Sequence, residues 1–505
     1  MAAMDIDMAQ ANTPSPTLRS RKNAAWPGTL GWCMAALAGM MAVLLINGAP
    51  LFYFDTAGYL RQGDSIFQIL NLFQPVVTNP NRSIAELATN DGIVIGSRSV
   101  VYAIFLSLIS VIGPLWIAVA TQAAILAATI WLICSKATEA AKLDLSPLKI
   151  TAVVLFAASL GSAGFYIASL MPDIFAPVLL LSMAALIAFA PVLQFWSALA
   201  FVMLGMLAAV VHPSHLAIAV LMVPICFVVA YLFQTGKLWR SMILVALIPT
   251  AGLVERLAFK AAVEQSTDSD VIYLPFSTAR LISDGPGLVF LKGVCPSPKW
   301  ATCALYAKLH SPDQLSPAEI LFSQTEKTGS FALLDAKDRE AISTEAVAFF
   351  RAVILGYPID AIRAALGNTF EQLGLVGINM TVPNPAMVQS ALSIHPGFPE
   401  SLTAGRLIAD NPAWVAYVTY AHKAYYLLAL IAVLTLVLMP RSRVPTHQKA
   451  FTVLILAGIL INAFVTGAIS QPADRYGARV VFLIPMLAVL LVMIRQPRAD
   501  RVAKG

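Results

Sequence analysis

The chain has 505 residues, 58% of them hydrophobic and 12% charged, with a mean hydropathy of +0.77. Soluble domains carry about 25% charged residues, so this composition excludes an ordinary soluble protein. Runs of about 20 apolar residues recur along the chain, which reads as a polytopic membrane protein. The net charge of +6 does not point to nucleic acid, because the basic residues gather where apolar runs end: Arg19 to Lys22, Arg441 to Arg443, and Arg495 to Lys504. That is the pattern of cytoplasmic loops.

Residues 1–29 are polar, rich in Pro, Ser and Thr, and close in a basic cluster, so they read as a disordered cytoplasmic tail. The first apolar span runs from about Leu30 to Pro50. Residues 51–97 form a first outer loop that carries Asp55, Asp64, Glu86 and Asp91 and leads to Arg98. Residues 98–134 hold two apolar pieces, 99–112 and 115–134, broken at Gly113-Pro114. The first is short for a crossing and suits an interfacial or re-entrant segment. Two crossings here would also send the later basic loops outward, so we count one.

Further spans are expected at about 150–170, 174–191, 194–211, 214–234 and 240–258, and then at 416–439, 449–468 and 478–495. The result is an all-α polytopic membrane protein of about ten transmembrane helices with both termini inside. Residues 30–258 form an N-terminal transmembrane module, 259–413 a mainly helical outer loop domain, 414–495 the C-terminal membrane helices and 496–505 a cytoplasmic tail. In the loop domain, Val347, Phe350 and Ile354 share a helix face, as do Ile362, Leu366, Phe370 and Leu373. Tyr357-Pro358 separates the two stretches and predicts a kink or hairpin. Cys33, Cys134 and Cys226 lie in or beside apolar spans and read as buried thiols. Cys295 and Cys303 flank a Pro-containing loop in the outer segment, where an oxidising compartment would join them in a disulfide. Asn81-Arg-Ser83 and Asn379-Met-Thr381 match the N-glycosylation tripeptide, a pattern that arises often by chance.

Candidate chemical groups collect on one side of this map: Asp55, Asp64, Arg98, Asp173, His212, His215, Asp474, Arg475 and Arg479. A charge near the lipid boundary is costly unless it faces a partner or a polar cavity. Asp55 equally suits the cap of a following helix, and Asp173 after Pro172 suits a helix start. His212 and His215 flank Pro213 and would serve either as hydrogen-bonding groups or as a weak metal pair. Arg475 and Arg479, four apart, would point the same way in a helix and could hold a phosphate or anchor to lipid headgroups.

The segments Phe54-Asp55-Thr-Ala-Gly-Tyr59, Ser97-Arg98-Ser-Val-Val-Tyr102, Met171-Pro-Asp173 and Asp474-Arg-Tyr-Gly-Ala-Arg479, with a large loop after the seventh span, resemble the C-type glycosyltransferase superfamily. Its members include protein O-mannosyltransferases and aminoarabinose transferases. The resemblance implies a membrane enzyme that uses a polyprenyl-phosphate-linked sugar, with acidic residues in the first two outer loops at Asp55 and Asp173. Relatives often pair two acids in the first loop, whereas Thr56 follows Asp55 here.

Glycosyl transfer needs a carboxylate to take the acceptor's proton and cations to stabilise the departing phosphate. Asp55 fits the first role, and Arg98, Arg475 and Arg479 fit the second. Asp173 adds a second catalytic carboxylate. His212, His215 and Asp64 would shape an acceptor or metal site, with a divalent ion left open as cofactor. The expected partners are the lipid-linked sugar and membrane lipids. A polysaccharide polymerase or ligase of the same compartment is the alternative. A secondary transporter is the reading from another class, although no two-fold internal repeat supports it.

Overall fold

The computed structural model describes residues 26–69, 88–89, 93–267, 270–439 and 444–495. The tripeptide at Asn81, Glu86, Asp91, Arg441–Arg443 and most of the two tails lie outside the described residues.

From the N-terminus the chain forms α1 (Trp26–Asn47), α2 (Phe54–Ile69), α3 (Val100–Ile112), α4 (Trp116–Ala141), α5 (Pro147–Ser159) and α6 (Ala163–Ala168). There follow α7 (Phe175–Ala188), α8 (Phe195–Val210), α9 (Pro213–Leu232) and α10 (Leu238–Thr267). Seven helical stretches among the described residues are long and apolar enough to cross a membrane. They are Gly28–Asn47, Trp116–Ala141, Pro213–Leu232, Leu238–Ser266, Ala413–Leu438, Thr446–Ser470 and Asp474–Ile494. Shorter apolar helices are α3, α5, α7 extended back to Pro172, and α8. This is an all-α, multi-pass membrane architecture.

Two boundaries differ from the hydropathy reading. The helix α1 begins at Trp26, inside the expected tail, because Pro27 in a first helical turn loses no hydrogen bond. The helix α10 runs to Thr267 rather than stopping near 258, continued by turns that carry the Lys260–Glu264 pair at 3.4 Å. At α3, 13 residues give about 20 Å of helix, short of the roughly 30 Å hydrocarbon core. Instead of standing alone, α3 packs on α2, where Ser107 Oγ donates to Leu60 O at 3.0 Å.

The helix α7 is buried over its whole length. A helix apolar on every face belongs at the centre of a bundle. The expected span 150–170 is broken at Leu160–Ser162 and again at Ser169, and free carbonyls cannot be left in an apolar interior. Gln122 of α4 supplies the missing partner, its Nε2 donating to Ile167 O at 3.0 Å and Ser169 O at 2.9 Å.

Between α10 and the last membrane helices lies a unit with its own core, centred on Ile282, Leu291, Leu305, Ile320, Phe331, Ile342 and Phe349. Its core is built by α11 (Phe276–Ser283), α12 (Pro286–Val294), α13 (Thr302–Lys308), α14 (Pro317–Phe322) and α15 (Ala336–Gly356). There follow α16 (Pro358–Gly374), α17 (Pro385–Ile394) and α18 (Glu400–Thr403), and Met387, Ala391 and Leu402 of the last two are buried in the bundle core instead. A small sheet ties this unit to the first loop. Its order is β1 (Ala88–Thr89), β2 (Ile93–Ile95), β3 (Asp270–Ile272), with β2 antiparallel to β1 and parallel to β3. The chain closes with α19 (Ala413–Leu438), α20 (Thr446–Phe464), a π-helical stretch Val465–Ser470, α21 (Asp474–Val481) and α22 (Leu483–Ile494).

Candidate active site at one end of the bundle

Backbone hydrogen bonds place the two acids. Leu51 and Ser169 form an isolated parallel bridge, with Leu51 N donating to Ala168 O and Leu170 N to Leu51 O, both at 2.8 Å. Thr56 Oγ1 adds a bond to Leu170 O at 3.2 Å. The start of α2, carrying Asp55, is thereby fixed to the segment that enters α7, carrying Asp173. Asp55 lies in the first turn of α2, yet both its oxygens go to guanidiniums, which replaces the expected capping role.

The arginines come from α21. Its docking requires Gly477 without a side chain, since a Cβ there would collide with the Leu375 carbonyl. Asn462 Nδ2 donates to Tyr476 O at 2.8 Å, and Tyr166 Oη donates to Arg475 O at 2.7 Å. Arg475 then donates through Nε to Asp173 Oδ2 at 2.9 Å, and its Nη1 reaches Asp55 Oδ2 at 3.4 Å. Its guanidinium lies over the Tyr53 ring, 4.6 Å from the centroid, a favourable cation–π placement. Burial pushes the Tyr53 phenol up to about 12, so the ring is neutral.

Arg479 is the largest fully buried side chain of the described residues. It donates to Asp173 Oδ1 at 3.1 Å, to Asn462 Oδ1 at 2.9 and 3.2 Å, and to Ser214 Oγ at 3.1 Å. Arg98 closes the open side, its Nη2 bonding Asp55 Oδ1 at 3.0 Å with both side chains more than a third exposed. Arg98 Nε is buried and has no partner. Three guanidiniums therefore share two carboxylates. Burial would raise the Asp55 carboxyl, but Arg98 and Arg475 outweigh it and hold it below the usual carboxylate range.

His212 caps α9. Its Nδ1 accepts from Ser214 N at 3.2 Å and lies 2.8 Å from Ser214 Oγ, which itself accepts from Arg479. This network assigns the His212 proton to Nε2. Burial pushes the ring down to about 3, so it is uncharged at neutral pH. His215 is fully buried, with Nδ1 on Ala208 O at 2.8 Å and Nε2 unpartnered.

All four oxygens of Asp55 and Asp173 already face guanidiniums. Among the described residues no group of three His, Cys, Asp or Glu side chains is placed to hold a metal. Beside Arg98 and His212 runs a crevice of about 20 Å³, bordered by Glu255, Arg256 and Tyr273. That is room for about one water.

Asp55, Arg98, Asp173, His212, Arg475 and Arg479 thus meet at one end of the bundle. Asp64 does not join them. Nine residues further along α2, about 13 Å of helix, it pairs with His395 Nε2 at 3.0 Å. Asp474 points away and accepts from Gly377 N at 2.6 Å. Cys295 and Cys303 are joined by a disulfide in the separate unit. Sequence reasoning missed Ser214, Asn462 and Tyr53. An isolated amide within the apolar run Ile459–Val465 was the available signal for Asn462.

Fold and cluster together define a multi-pass, all-α membrane protein with a buried arginine–aspartate centre. Comparison with protein-family models, with curated proteins and with solved structures finds no match to this chain.

Proposed function

We propose that the chain is an integral membrane glycosyltransferase that moves a sugar from a polyprenyl-phosphate donor to an extracytoplasmic lipid, glycan or protein. The observation that carries this reading is the cationic surplus: three guanidiniums against two carboxylates, with the Arg98 Nε–H unpartnered. A site of that charge, at the end of an apolar bundle, suits the phosphate of a membrane-bound lipid. On this reading α5, α7 and α8 cross with the seven longer stretches. That makes ten crossings with both termini cytoplasmic and the cluster on the outer face of a cell membrane.

In the proposed reaction the donor phosphate draws Arg98 and Arg475 from Asp55. Relieved of both cations, Asp55 becomes a stronger base and takes the proton of the acceptor hydroxyl. The acceptor oxygen bonds to the anomeric carbon as the bond from that carbon to the phosphate oxygen breaks, with inversion. The lipid phosphate leaves against Arg475 and Arg479, where fixed cations stabilise the growing charge.

The test uses the purified protein with a polyprenyl-phosphate sugar, first for binding and then with a panel of acceptors. Asp55→Asn removes the base and one negative charge, so donor binding should persist or tighten. Transfer should fall by about 10²–10⁴-fold, the usual worth of a general base. Transfer at the wild-type rate by Asp55→Asn would remove the mechanism, and absence of donor binding by the wild type would remove the reading.

A further inference from the structure

The pair α15–α16, bent by 108° at Tyr357, presents an apolar face that the protein does not cover. Along α16, Ile359, Ile362, Leu366, Phe370 and Leu373 are all exposed, Ile359 at 79% and Phe370 at 71%. Their spacing of three, four, four and three residues draws one stripe on one helix face, about 21 Å long at 1.5 Å per residue. Across the corner, Val347, Phe350 and Leu355 of α15 are exposed too, while Phe349 and Val353 on its other face enter the core of the unit.

The opposite face of α16 fixes its height against the bundle. Ala361 and Gln372 are buried there, and Thr369 is buried at the edge of that face. Gln372 grips Ala473 twice, donating to its carbonyl and accepting from its amide, both at 2.9 Å. The chain just past α16 reaches α19, where Ile378 N meets Thr419 Oγ1 at 3.4 Å. Thr419 sits between Tyr417 and Tyr420, which are 75% and 70% exposed near the end of an apolar span. Exposed tyrosines at such an end mark the level of the lipid headgroups. The C-terminal end of α16 is therefore at headgroup depth. The exposed Arg351 and Arg363 border the stripe, as basic residues border helices that lie in an interface.

We infer that α16 and the adjoining end of α15 form an interfacial lipid-binding face, seated in the leaflet on the side of the arginine–aspartate cluster. Its ligand is the acyl-chain and headgroup boundary of the bilayer, continuous with the lipid-facing surface of α19. The inference rests on the long apolar helices crossing the membrane and is independent of glycosyl transfer. Because Gln372 holds the residue two before Arg475, the lipid-seated helix also braces the chain that bears the site.

The experiment places single nitroxide labels on the full-length protein in nanodiscs of palmitoyl-oleoyl phosphatidylethanolamine and phosphatidylglycerol. Cys33, Cys134 and Cys226 are replaced, and cysteine is introduced by Ile362→Cys, Leu366→Cys and Phe370→Cys. Leu428→Cys, at an exposed mid-span position of α19, and Lys337→Cys, on the separate unit, are the controls. Collision with oxygen relative to a water-soluble nickel chelate should be several-fold higher at 362, 366 and 370 than at 337, and should approach the value at 428. Nickel access at those three positions equal to that at 337 would overturn the inference. Protection from both reagents would overturn it as well, since a second copy or another protein would then cover the face. Nickel access at 428 would instead overturn the membrane-crossing reading beneath it. Should one cysteine variant fail to fold, the other two report the same face.

Discussion

Asp173 carries more of the fold than Asp55, although both pair with arginine. Asp173 is 2% exposed and bridges Arg475 and Arg479, whose side chains are 6% and 0% exposed. Asp173→Asn keeps the shape but leaves two buried guanidiniums short of their counter-charge. Breaking a buried pair in this way costs about 3–5 kcal/mol. Against a typical total of about 5–15 kcal/mol, that is a large fraction. The Asp55–Arg98 pair is more than a third exposed on both sides, and Arg475, which also reaches Asp55 at 3.4 Å, keeps its closer partner Asp173 at 2.9 Å. Screening reduces such a pair to about 0–1 kcal/mol, so Asp55→Asn should unfold close to the wild type. Thermal unfolding in detergent, with recovery of monodisperse protein, separates the two variants. Adding Arg479→Gln to Asp173→Asn removes the surplus cation, and the double variant should lose less than the sum of the two single losses. Equal melting of Asp173→Asn and Asp55→Asn would refute the argument that burial of the bridging carboxylate decides the difference.

The lowered Asp55 carboxyl has a definite pH signature. Its stabilisation is complete above the unfolded value of about 3.9 and is lost as pH falls through the still lower folded value. The melting temperature of the wild type should therefore drop more steeply than that of Asp55→Asn as pH falls below about 4, and parallel curves would exclude the ion pairs as the cause. Gly477→Ala forces a Cβ against the Leu375 carbonyl. It should destabilise by about 1–3 kcal/mol, the cost of overpacking, and an unchanged melting temperature would contradict this docking of α21. Iodoacetamide should modify Cys295 and Cys303 only after reduction, which peptide mass mapping reads directly.

Sequence showed the ends of the apolar runs, and the charges stranded there are the ones that meet. The reason is physical: an ion at a lipid boundary needs a counter-ion, and the nearest are others at the same depth. Asp64 belongs to the same loop but has a different neighbour, because one helix carries Asp55 and Asp64 to different heights. Spacing alone could not show that His395, 331 residues away, stands opposite it. Ser214 was hidden between two histidines that drew attention as a metal pair, and its hydroxyl instead links Arg479 to His212. The small sheet was equally illegible, since Ile93–Ile95 finds its parallel partner at Asp270–Ile272. Such a pairing depends on where α10 ends, a boundary that hydropathy places too early because the final turns carry Lys260, Glu264, Gln265 and Ser266 and are exposed rather than apolar.

The parallel bridge between Leu51 and Ser169 has a consequence for motion. Each acid stands four residues beyond its bridge partner, Asp55 after Leu51 and Asp173 after Ser169. The two carboxylates are thus mounted on one main-chain frame, as if on the two arms of a caliper locked at its pivot. Arg98, at the tip of a long side chain from the turn before α3 and more than a third exposed, has no such lock, whereas Arg475 and Arg479 are buried against Asp173. A ligand that enters the cluster can leave the acid-to-acid spacing unchanged and still displace Arg98 from it. The aspartate backbones then form the stationary half of the site, against which displacement of Arg98 can be measured.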